Sequence, residues 1–384
     1  MPERSAGCNP VARTLSPKRG FLPMTMVELR AKGVSATLDC SVGHIADFTV
    51  ETGDRIVRPL HRAPWVDGAS EPLPDGMPEN VARLSGDFFC APFSRNDVED
   101  GPPHGWTANS AWDFLEETGL ADGRTARFRL RKRVMGAVVE KLLTLRDGHP
   151  FLYQEHRLIG GQGAVPVAHH TMVRMARGGR LAFSSKKAAL TPDAPLEIDP
   201  SRGRSLFTYP ARTSDLSRLP LADGTSADLS IYPPGERHED FVTLVEEAHA
   251  DIGYTAIARH AERDLVLVLK NPASLPVTML WYSNGGRNYA PWNGSHVGVL
   301  GIEDGCSAIG HRQSLEDNAI RREGASTAIN LEPSGQIVIR QVIGCVDRKD
   351  APASINADRK NGVLKLAFEN GSTERIPFDT TFLG

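Results

Sequence analysis

The stretch LVLVLKNPASLPVTMLWYS, residues 265–283, decides the fold class. It holds two apolar runs, residues 265–270 and 277–283, separated by a segment that contains two prolines. Each run is shorter than a typical helix, and both are bounded by turn-forming residues, which is typical of β-strands. We interpret the stretch as two strands joined by a turn.

Runs of the same kind recur along the whole chain after residue 22, and 36 glycines and 27 prolines punctuate their junctions. This pattern favours an all-β protein with many antiparallel strands over alternating strands and helices. The basic run RFRLRKR, residues 127–133, fits the pattern as a strand with one wet face. We expect one β-sandwich domain over residues 23–384, with long surface loops in 190–236, preceded by a flexible tail at residues 1–22.

Helix signals are sparse and occur in two places. Residues 240–250, DFVTLVEEAHA, predict a helix with Asp240 as its N-cap. Residues 314–322, SLEDNAIRR, predict a second short helix that opens with a Ser-x-x-Asp capping pattern.

Composition excludes several classes of partner. The net charge of −3 argues against nucleic acid, because phosphate binding needs clustered positive charge. No apolar run approaches the roughly 18 residues of a membrane span, and the polar N-terminus lacks the apolar core of a secretory signal.

Five scattered cysteines without CxxC spacing indicate neither a zinc site nor a disulfide framework. We expect a cytoplasmic protein without metal or cofactor, as a monomer or a homodimer.

Three segments carry residues suited to proton transfer. In GPPHGWTANSAWDF, residues 101–114, two prolines and a glycine orient His104, and Trp106 and Trp112 after it could provide flat apolar walls of the kind that suit a sugar. In VPVAHHTMVRM, residues 165–175, only one of His169 and His170 can face a given cleft, because adjacent strand residues point to opposite faces. In VGVLGIEDGCS, residues 297–307, an apolar strand leads into Glu303, whose buried charge would need partners.

Two histidines and a glutamate form an acid–base set, since imidazole exchanges protons near neutral pH and a carboxylate is a complementary base. The sequence has no G-x-S-x-G elbow, phosphate-binding loop, HExxH or G-x-G-x-x-G motif after a strand. The residues therefore predict cofactor-free proton transfer on a substrate that spacing alone does not identify.

The order of three motifs resembles the aldose 1-epimerase (galactose mutarotase-like) superfamily, nearest its hexose-6-phosphate mutarotase-type branch. They are RLSGDFFCAPFS followed by PPHGWTANSAWDF, then AVPVAHHTMVRM, then PWNGSHVGVLGIEDGCS. The resemblance covers residues 27–375, although 176–270 matches only in strand texture. It implies a large antiparallel β-supersandwich with a few short helices and an enzyme that interconverts the anomers of an aldose.

The resemblance also implies roles for individual residues. Glu303 would take the proton of the anomeric hydroxyl, His170, preferred over His169, would protonate the ring oxygen, and His104 would assist near that oxygen. The cleft would be lined or the sugar bound by Arg83, Asn96, Trp106, His169, Trp281, Tyr282 and Trp292.

Two departures from the family pattern leave the sugar open. The branch for phosphorylated sugars usually has an arginine after the His-Gly-aromatic motif, where this chain has Thr107-Ala108-Asn109. Arg83 or Arg95 could compensate. Thr171 stands where the family usually has proline. The substrate is therefore expected to be an aldose, phosphorylated or not.

Two other functions fit the same residues. The first is a non-catalytic carbohydrate-binding or regulatory protein on this fold, because a fold does not dictate a function. The second is a polysaccharide lyase-type enzyme on a related sandwich.

Overall fold

The structure is a computed structural model that describes residues 26–68, 72–247 and 251–384. The tail expected at residues 1–22 lies outside these ranges. The described residues form 28 strands, three short α-helices and one 3-10 turn.

Strands dominate every described part of the chain. The strands, numbered in chain order, are β1 (Met26–Ala31), β2 (Val34–Asp39), β3 (His44–Thr52), β4 (Arg55–Val57), β5 (Phe89–Cys90), β6 (Trp112–Leu120), β7 (Gly123–Leu130), β8 (Val138–Arg146), β9 (Phe151–Ile159), β10 (Gly163–Val165), β11 (Val167–His169), β12 (Thr171–Arg174), β13 (Gly179–Phe183), β14 (Lys186–Leu190), β15 (Arg212–Thr213), β16 (Leu219–Pro220), β17 (Ser226–Ala227), β18 (Ile231–Tyr232), β19 (His238–Glu246), β20 (Gly253–Arg259), β21 (Asp264–Lys270), β22 (Val277–Asn284), β23 (Val299–Cys306), β24 (Ile329–Leu331), β25 (Gln336–Val346), β26 (Ser354–Asp358), β27 (Val363–Ala367) and β28 (Thr373–Pro377). The helices are α1 (Glu79–Ala82), α2 (His311–Leu315) and α3 (Ala319–Arg322), and the 3-10 turn is Trp106–Ala108.

Two large antiparallel sheets pack face to face. The nine-stranded sheet has the order β18-β13-β20-β21-β25-β9-β8-β7-β6. The eight-stranded sheet has the order β15-β14-β19-β22-β23-β11-β5, and β12 also pairs with β23. Smaller sheets are β1-β2-β3-β4, β26-β27-β28, β10-β24 and β16-β17. This is the all-β sandwich that the sequence predicts.

The two runs of residues 265–283 are strands, as predicted, but they belong to different sheets. β21 lies in the nine-stranded sheet and β22 in the eight-stranded sheet, so the segment between them crosses from one layer to the other. Val266 of β21 and Leu280 of β22 meet in the core between the layers. The alternate residues Leu267 and Met279 are buried in two separate outer clusters. Because both faces of each strand are covered, the runs are continuously apolar rather than alternating.

The helix predicted over 240–250 is wrong. Residues 238–246 form β19, in which all nine residues are buried, while residues 248–250 lie outside the described ranges. Val242 faces the core between the sheets and Phe241 faces the outer cluster. A strand covered on both faces has no period-two signal, so its acidic residues mimic a helix start.

The short helix predicted over 314–322 is replaced by α2 and α3, which are separated at Glu316 to Asn318. Ser314 does not cap a helix, because its hydroxyl donates to the carbonyl of Gly310. Asn318 is the N-cap instead, and its side chain accepts from the backbone N–H of Arg321. The capping residue was therefore misplaced by four positions.

Two other local expectations, for the basic run and for residues 190–236, agree with the structure. The basic run lies largely in β7, where Phe128 is buried and Arg129 is exposed. Residues 190–236 are mainly loops with four two-residue strands. The described cysteines, Cys40, Cys90, Cys306 and Cys345, are buried free thiols. Within the described ranges, no helix has the length and apolar character needed to cross a membrane.

Candidate functional site

A cavity of about 410 Å³ opens on the outer face of the eight-stranded sheet. Most of its walls are apolar or aromatic, and a few polar groups converge on it, which is typical of small-molecule sites. The residues that line it are Asn80, Val81, Leu84, Phe88, Phe93, Ser94, Arg95, Pro103, His104, His170, Leu196, Phe241, Trp281, Arg287, Trp292, Glu303 and Ile309. A larger open cavity of about 640 Å³ lies next to Arg58, Arg62 and Arg174, but no histidine–carboxylate contact of the described residues lies there.

Strand register brings His170 and Glu303 together. β11 and β12 pair with β23 in a single register, in which Thr171 lies opposite Ile302. Extending that register by one residue places His170 opposite Glu303. The Nε2 of His170 lies 3.0 Å from Oε1 of Glu303, and both side chains are almost fully buried. The chain thus places a histidine and a carboxylate in direct contact at the wall of the cavity.

Glu303 is buried beside a large aromatic ring. Gly301, two residues earlier on the same face of β23, is paired with Trp281 of β22. A Cβ at position 301 would lie 3.0 Å from Cβ of Trp281 and 3.2 Å from Oε1 of Glu303. The absence of a side chain at Gly301 therefore provides the space that the Trp281 indole and the Glu303 carboxylate occupy. Oε2 of Glu303 has no hydrogen-bond partner among the described residues.

His104 reaches the cavity from a tightly held loop. Its φ is 63°, a left-handed conformation that histidine adopts more readily than most residues. Its backbone N–H donates to the carbonyl of Ser94 at 2.7 Å. The side-chain amide of Asn109 donates to the carbonyls of Pro103 and Gly105, both at 2.8 Å. Asn109, the last residue of the Thr107-Ala108-Asn109 segment, therefore fixes this loop.

Aromatic rings fix the orientation of the two cavity histidines. Phe88 stacks on His170 with the ring centroids 4.4 Å apart, and its ring stacks equally closely on His44. His104 and Trp281 each meet His170 edge-on with centroids 5.4 Å apart. Burial, followed by the neighbouring His170 and His44, lowers the pKa of His104 to about 3. His104 is therefore a neutral imidazole at physiological pH.

A buried carboxylate organises the outer wall. Glu239 accepts from the indole N–H of Trp281 and, at 3.0 Å, from the hydroxyl of Ser283. The guanidinium of Arg287 lies 3.5 Å from Glu239 and stacks over Trp292 at 4.6 Å. Burial raises the pKa of Glu239, although Arg287 favours the charged form. Glu239 and Arg287 thus hold Trp281 and Trp292 in place on one side of the cavity.

The structure gathers five of the residues singled out in the sequence around one cavity: His104, His170, Trp281, Trp292 and Glu303. Arg95, considered only as a substitute for a missing arginine, also lines it. These residues come from four separate segments of the chain.

Three of the residues proposed to bind sugar lie outside the cavity lining: Arg83, Asn96 and Trp106. Arg83 is buried in an ion pair, with Nη1 at 3.3 Å from Asp39. Trp106 packs against the core, and Lys132 lies 4.9 Å from its ring. The structure gives none of the three a contact with the cavity.

His169 and Tyr282 face the core between the sheets rather than the cavity. Both are completely buried, and Tyr282 belongs to the core cluster shared by the two sheets. Nδ1 of His169 lies 3.5 Å from Asp87, which also accepts from the hydroxyl of Thr171 at 2.8 Å. The choice between the adjacent histidines is thus settled geometrically, with His170 on the cavity side.

The lining residues that sequence reasoning missed include Phe88, Phe93, Phe241 and Arg287. Phe88 and Phe93 lie within the DFFCAPF segment that carried the family resemblance, so the sequence did contain a signal for them. Phe241 was hidden by the incorrect helix prediction. No sequence pattern distinguishes Arg287, because only the turn after β22 brings it to the cavity.

The described residues contain no group of three or more His, Cys, Asp or Glu that could hold a metal ion. His104, His170 and Glu303 are the histidines and the carboxylate that line the described cavity.

No protein-family model and no curated protein matches the chain. Solved structures do match it. The Slr1438 protein from Synechocystis sp. PCC 6803 is 12% identical with a TM-score of 0.54, over 87% of this chain and 100% of that chain. A galactose mutarotase related enzyme from Lactobacillus acidophilus is 11% identical with a TM-score of 0.52, over 85% and 100%.

A candidate aldose 1-epimerase from Escherichia coli K12 is 13% identical with a TM-score of 0.54, over 84% of this chain and 99% of that chain. At such identities the likeness concerns the fold. The chain therefore has a fold similar to that of these solved mutarotase-related structures, which agrees with the β-supersandwich that the sequence predicts.

Proposed function

We propose that this mutarotase-like sandwich binds a sugar in the cavity of the eight-stranded sheet and interconverts its anomers. The observation that carries the proposal is the 3.0 Å contact between His170 Nε2 and Glu303 Oε1 at the cavity wall. Trp281 and Trp292 line the same cavity, and flat aromatic faces suit the apolar C–H faces of a sugar ring. The solved mutarotase-related structures with this fold support the same class of reaction.

The reaction needs two proton transfers, one at each of the two oxygens bonded to the anomeric carbon. Glu303 takes the proton from the anomeric hydroxyl, and His170 gives a proton to the ring oxygen as the bond between that oxygen and the anomeric carbon breaks. The chain form rotates about the C1–C2 bond, and the reverse transfers close the ring on the other face and restore both side chains. Because the two oxygens are bonded to the same carbon, the base and the acid must be neighbours, as they are here.

Anomer exchange followed by NMR on a panel of aldoses and aldose phosphates tests this function. Acid–base catalysis typically contributes about 10²- to 10⁴-fold. We expect His170→Ala and Glu303→Gln to lower kcat/KM by that order while the protein still folds. His260→Ala and Glu332→Gln, which alter exposed residues, are matched controls and should leave the rate unchanged.

Equal exchange rates with and without the protein for every sugar would contradict the proposal. Sugar binding that survives Glu303→Gln without anomer exchange would instead indicate a non-catalytic carbohydrate-binding protein. Activity on an acidic polysaccharide would indicate a lyase.

A further inference from the structure

The thiol of Cys90 contacts the ring of His104 at the base of the cavity. Sγ of Cys90 lies 3.2 Å from Nδ1 of His104, within hydrogen-bond range for sulfur. Cys90 is fully buried in β5, and its backbone pairs with Ala168. The other ring nitrogen of His104, Nε2, has no hydrogen-bond partner among the described residues, and His104 lines the cavity.

The backbone fixes where this contact forms. Ala91, next to Cys90, makes a parallel bridge with Gly105, next to His104. A Cβ at position 105 would lie 2.1 Å from the carbonyl oxygen of Ala91, so only glycine permits this approach. The two chain segments are therefore held side by side, and the thiol meets the imidazole in a defined geometry.

The direction of the hydrogen bond follows from the protonation of both groups. Burial, together with the charges of Glu303 and Asp87, raises the pKa of Cys90 well above its usual value, so the sulfur keeps its proton. The neutral ring of His104 has one N–H and one bare nitrogen. The thiol is the better donor to the bare nitrogen, which places the ring proton on Nε2, the atom without a partner.

We propose that Cys90 is a positioning residue that holds His104 as the Nε2–H tautomer, so that His104 presents a hydrogen-bond donor to an oxygen of the bound ligand. The role of His104 in catalysis, but not its tautomer, rests on the proposed function. His104 then stabilises a ligand oxygen that gains electron density. Because Nε2 already carries a proton, His104 takes none from the substrate, and Glu303 is the base. The tautomer of a histidine is set by the bond at its other nitrogen.

The test is ¹⁵N NMR of protein labelled at histidine, with the His104 signals assigned by their loss in His104→Gln. At pH 7 we expect the wild-type protein to show His104 with the proton on Nε2. Cys90→Ser should retain this tautomer, because a hydroxyl also donates, and Cys90→Ala should shift it towards Nδ1–H. Cys345→Ala, which truncates a buried thiol on β25 of the nine-stranded sheet, is the matched control and should leave the signals unchanged.

Anomer exchange of the same variants gives the second readout. Cys90→Ala should lower kcat by about 2- to 10-fold, the range for one neutral hydrogen bond, and Cys90→Ser should restore most of it. Wild-type His104 with the proton on Nδ1, or as imidazolium, would overturn the proposal. An unchanged tautomer in Cys90→Ala would also overturn it, even with reduced activity. A confirmed tautomer in a protein that exchanges no anomers would refute the proposed function but not the positioning role.

Discussion

At the scale of single residues, His44 links two segments next to the cavity. Its Nδ1 and Nε2 each lie 3.1 Å from a backbone carbonyl oxygen, of Arg83 and Ala108 respectively. Burial lowers the pKa of His44 to about 4, although the carbonyl of Ala108 and the charge of Asp39 favour the protonated form. A neutral ring can donate to only one of these two carbonyls, and burial outweighs the second hydrogen bond that an imidazolium would make. The native state therefore holds His44 neutral at pH values where an unfolded histidine, with a pKa near 6.5, is protonated.

This difference predicts a pH dependence of stability. Between about pH 6.5 and 4 the unfolded chain binds one proton more at His44 than the native protein does, so the free energy of unfolding falls as the pH falls through this window. One proton corresponds to about 1.4 kcal/mol per pH unit. In denaturant titrations from pH 7 to 4.5, we expect His44→Gln to have a shallower slope than the wild type. His260→Gln, at an exposed position, should keep the wild-type slope, and equal slopes for all three proteins would refute the prediction.

At the scale of elements, β22 and β23 form the floor of the cavity. Their register puts Glu303 beside Met279 and Gly301 beside Trp281, all on the outer face of the sheet. The missing side chain at Gly301 is what allows the indole to lie against the strand that carries the carboxylate. A glycine inside a strand usually weakens the sheet. Here the glycine stands where a larger side chain would crowd Trp281 and Glu303, two residues that line the cavity.

Gly301→Ala should therefore impair the site more than the fold. The added methyl group would meet Trp281 at 3.0 Å and Glu303 Oε1 at 3.2 Å, so one of these groups must shift by a few tenths of an ångström. We expect kcat/KM for anomer exchange to fall by about 3- to 10-fold and stability by about 1 kcal/mol.

Gly119→Ala is the control for Gly301→Ala, because Gly119 also lies in a strand and a Cβ there would meet nothing within 4 Å. Wild-type kinetics in Gly301→Ala, with Trp281 fluorescence unchanged, would show that the space at this glycine is not needed.

At the scale of the whole molecule, the cavity is assembled from loops that follow distant strands. Arg95 follows β5, Leu196 follows β14, Arg287 follows β22 and Ile309 follows β23. Two of these four are arginines, and Glu303 is the single carboxylate among the described lining residues. Arg287 is already paired with Glu239, whereas Arg95 is exposed and, among the described residues, its side chain donates only to the carbonyl of Ile309 at 3.1 Å.

This charge distribution predicts how an anionic sugar would be distinguished from a neutral one. We expect Arg95→Ala to raise KM for an aldose phosphate by about 10-fold or more, because a charge-assisted hydrogen bond is lost. KM for the neutral aldose should stay within about 2-fold. Arg180→Ala, an exposed arginine on β13 of the other sheet, should change neither value. Equal effects of Arg95→Ala on both sugars would exclude a role in phosphate recognition.

How much of the site could be predicted depended on which segments were recognised as strands. His170 and Glu303 lie within clear strand patterns, so the sequence pointed to both. Phe241 escaped because β19 is buried on both faces and its apolar run has no period. The position of Arg83 outside the cavity lining was not predictable, since only the fold brings Asp39 close enough to pair with it.

The sequence by itself determined that the chain forms strands, because short apolar runs between turn residues are a local property. It also determined which groups were available for proton transfer. Only the tertiary structure decided that β21 and β22 lie in different sheets and that His170 rather than His169 meets Glu303. The physical reason is that sheet membership and register depend on pairing between residues far apart in the chain, which no single stretch encodes.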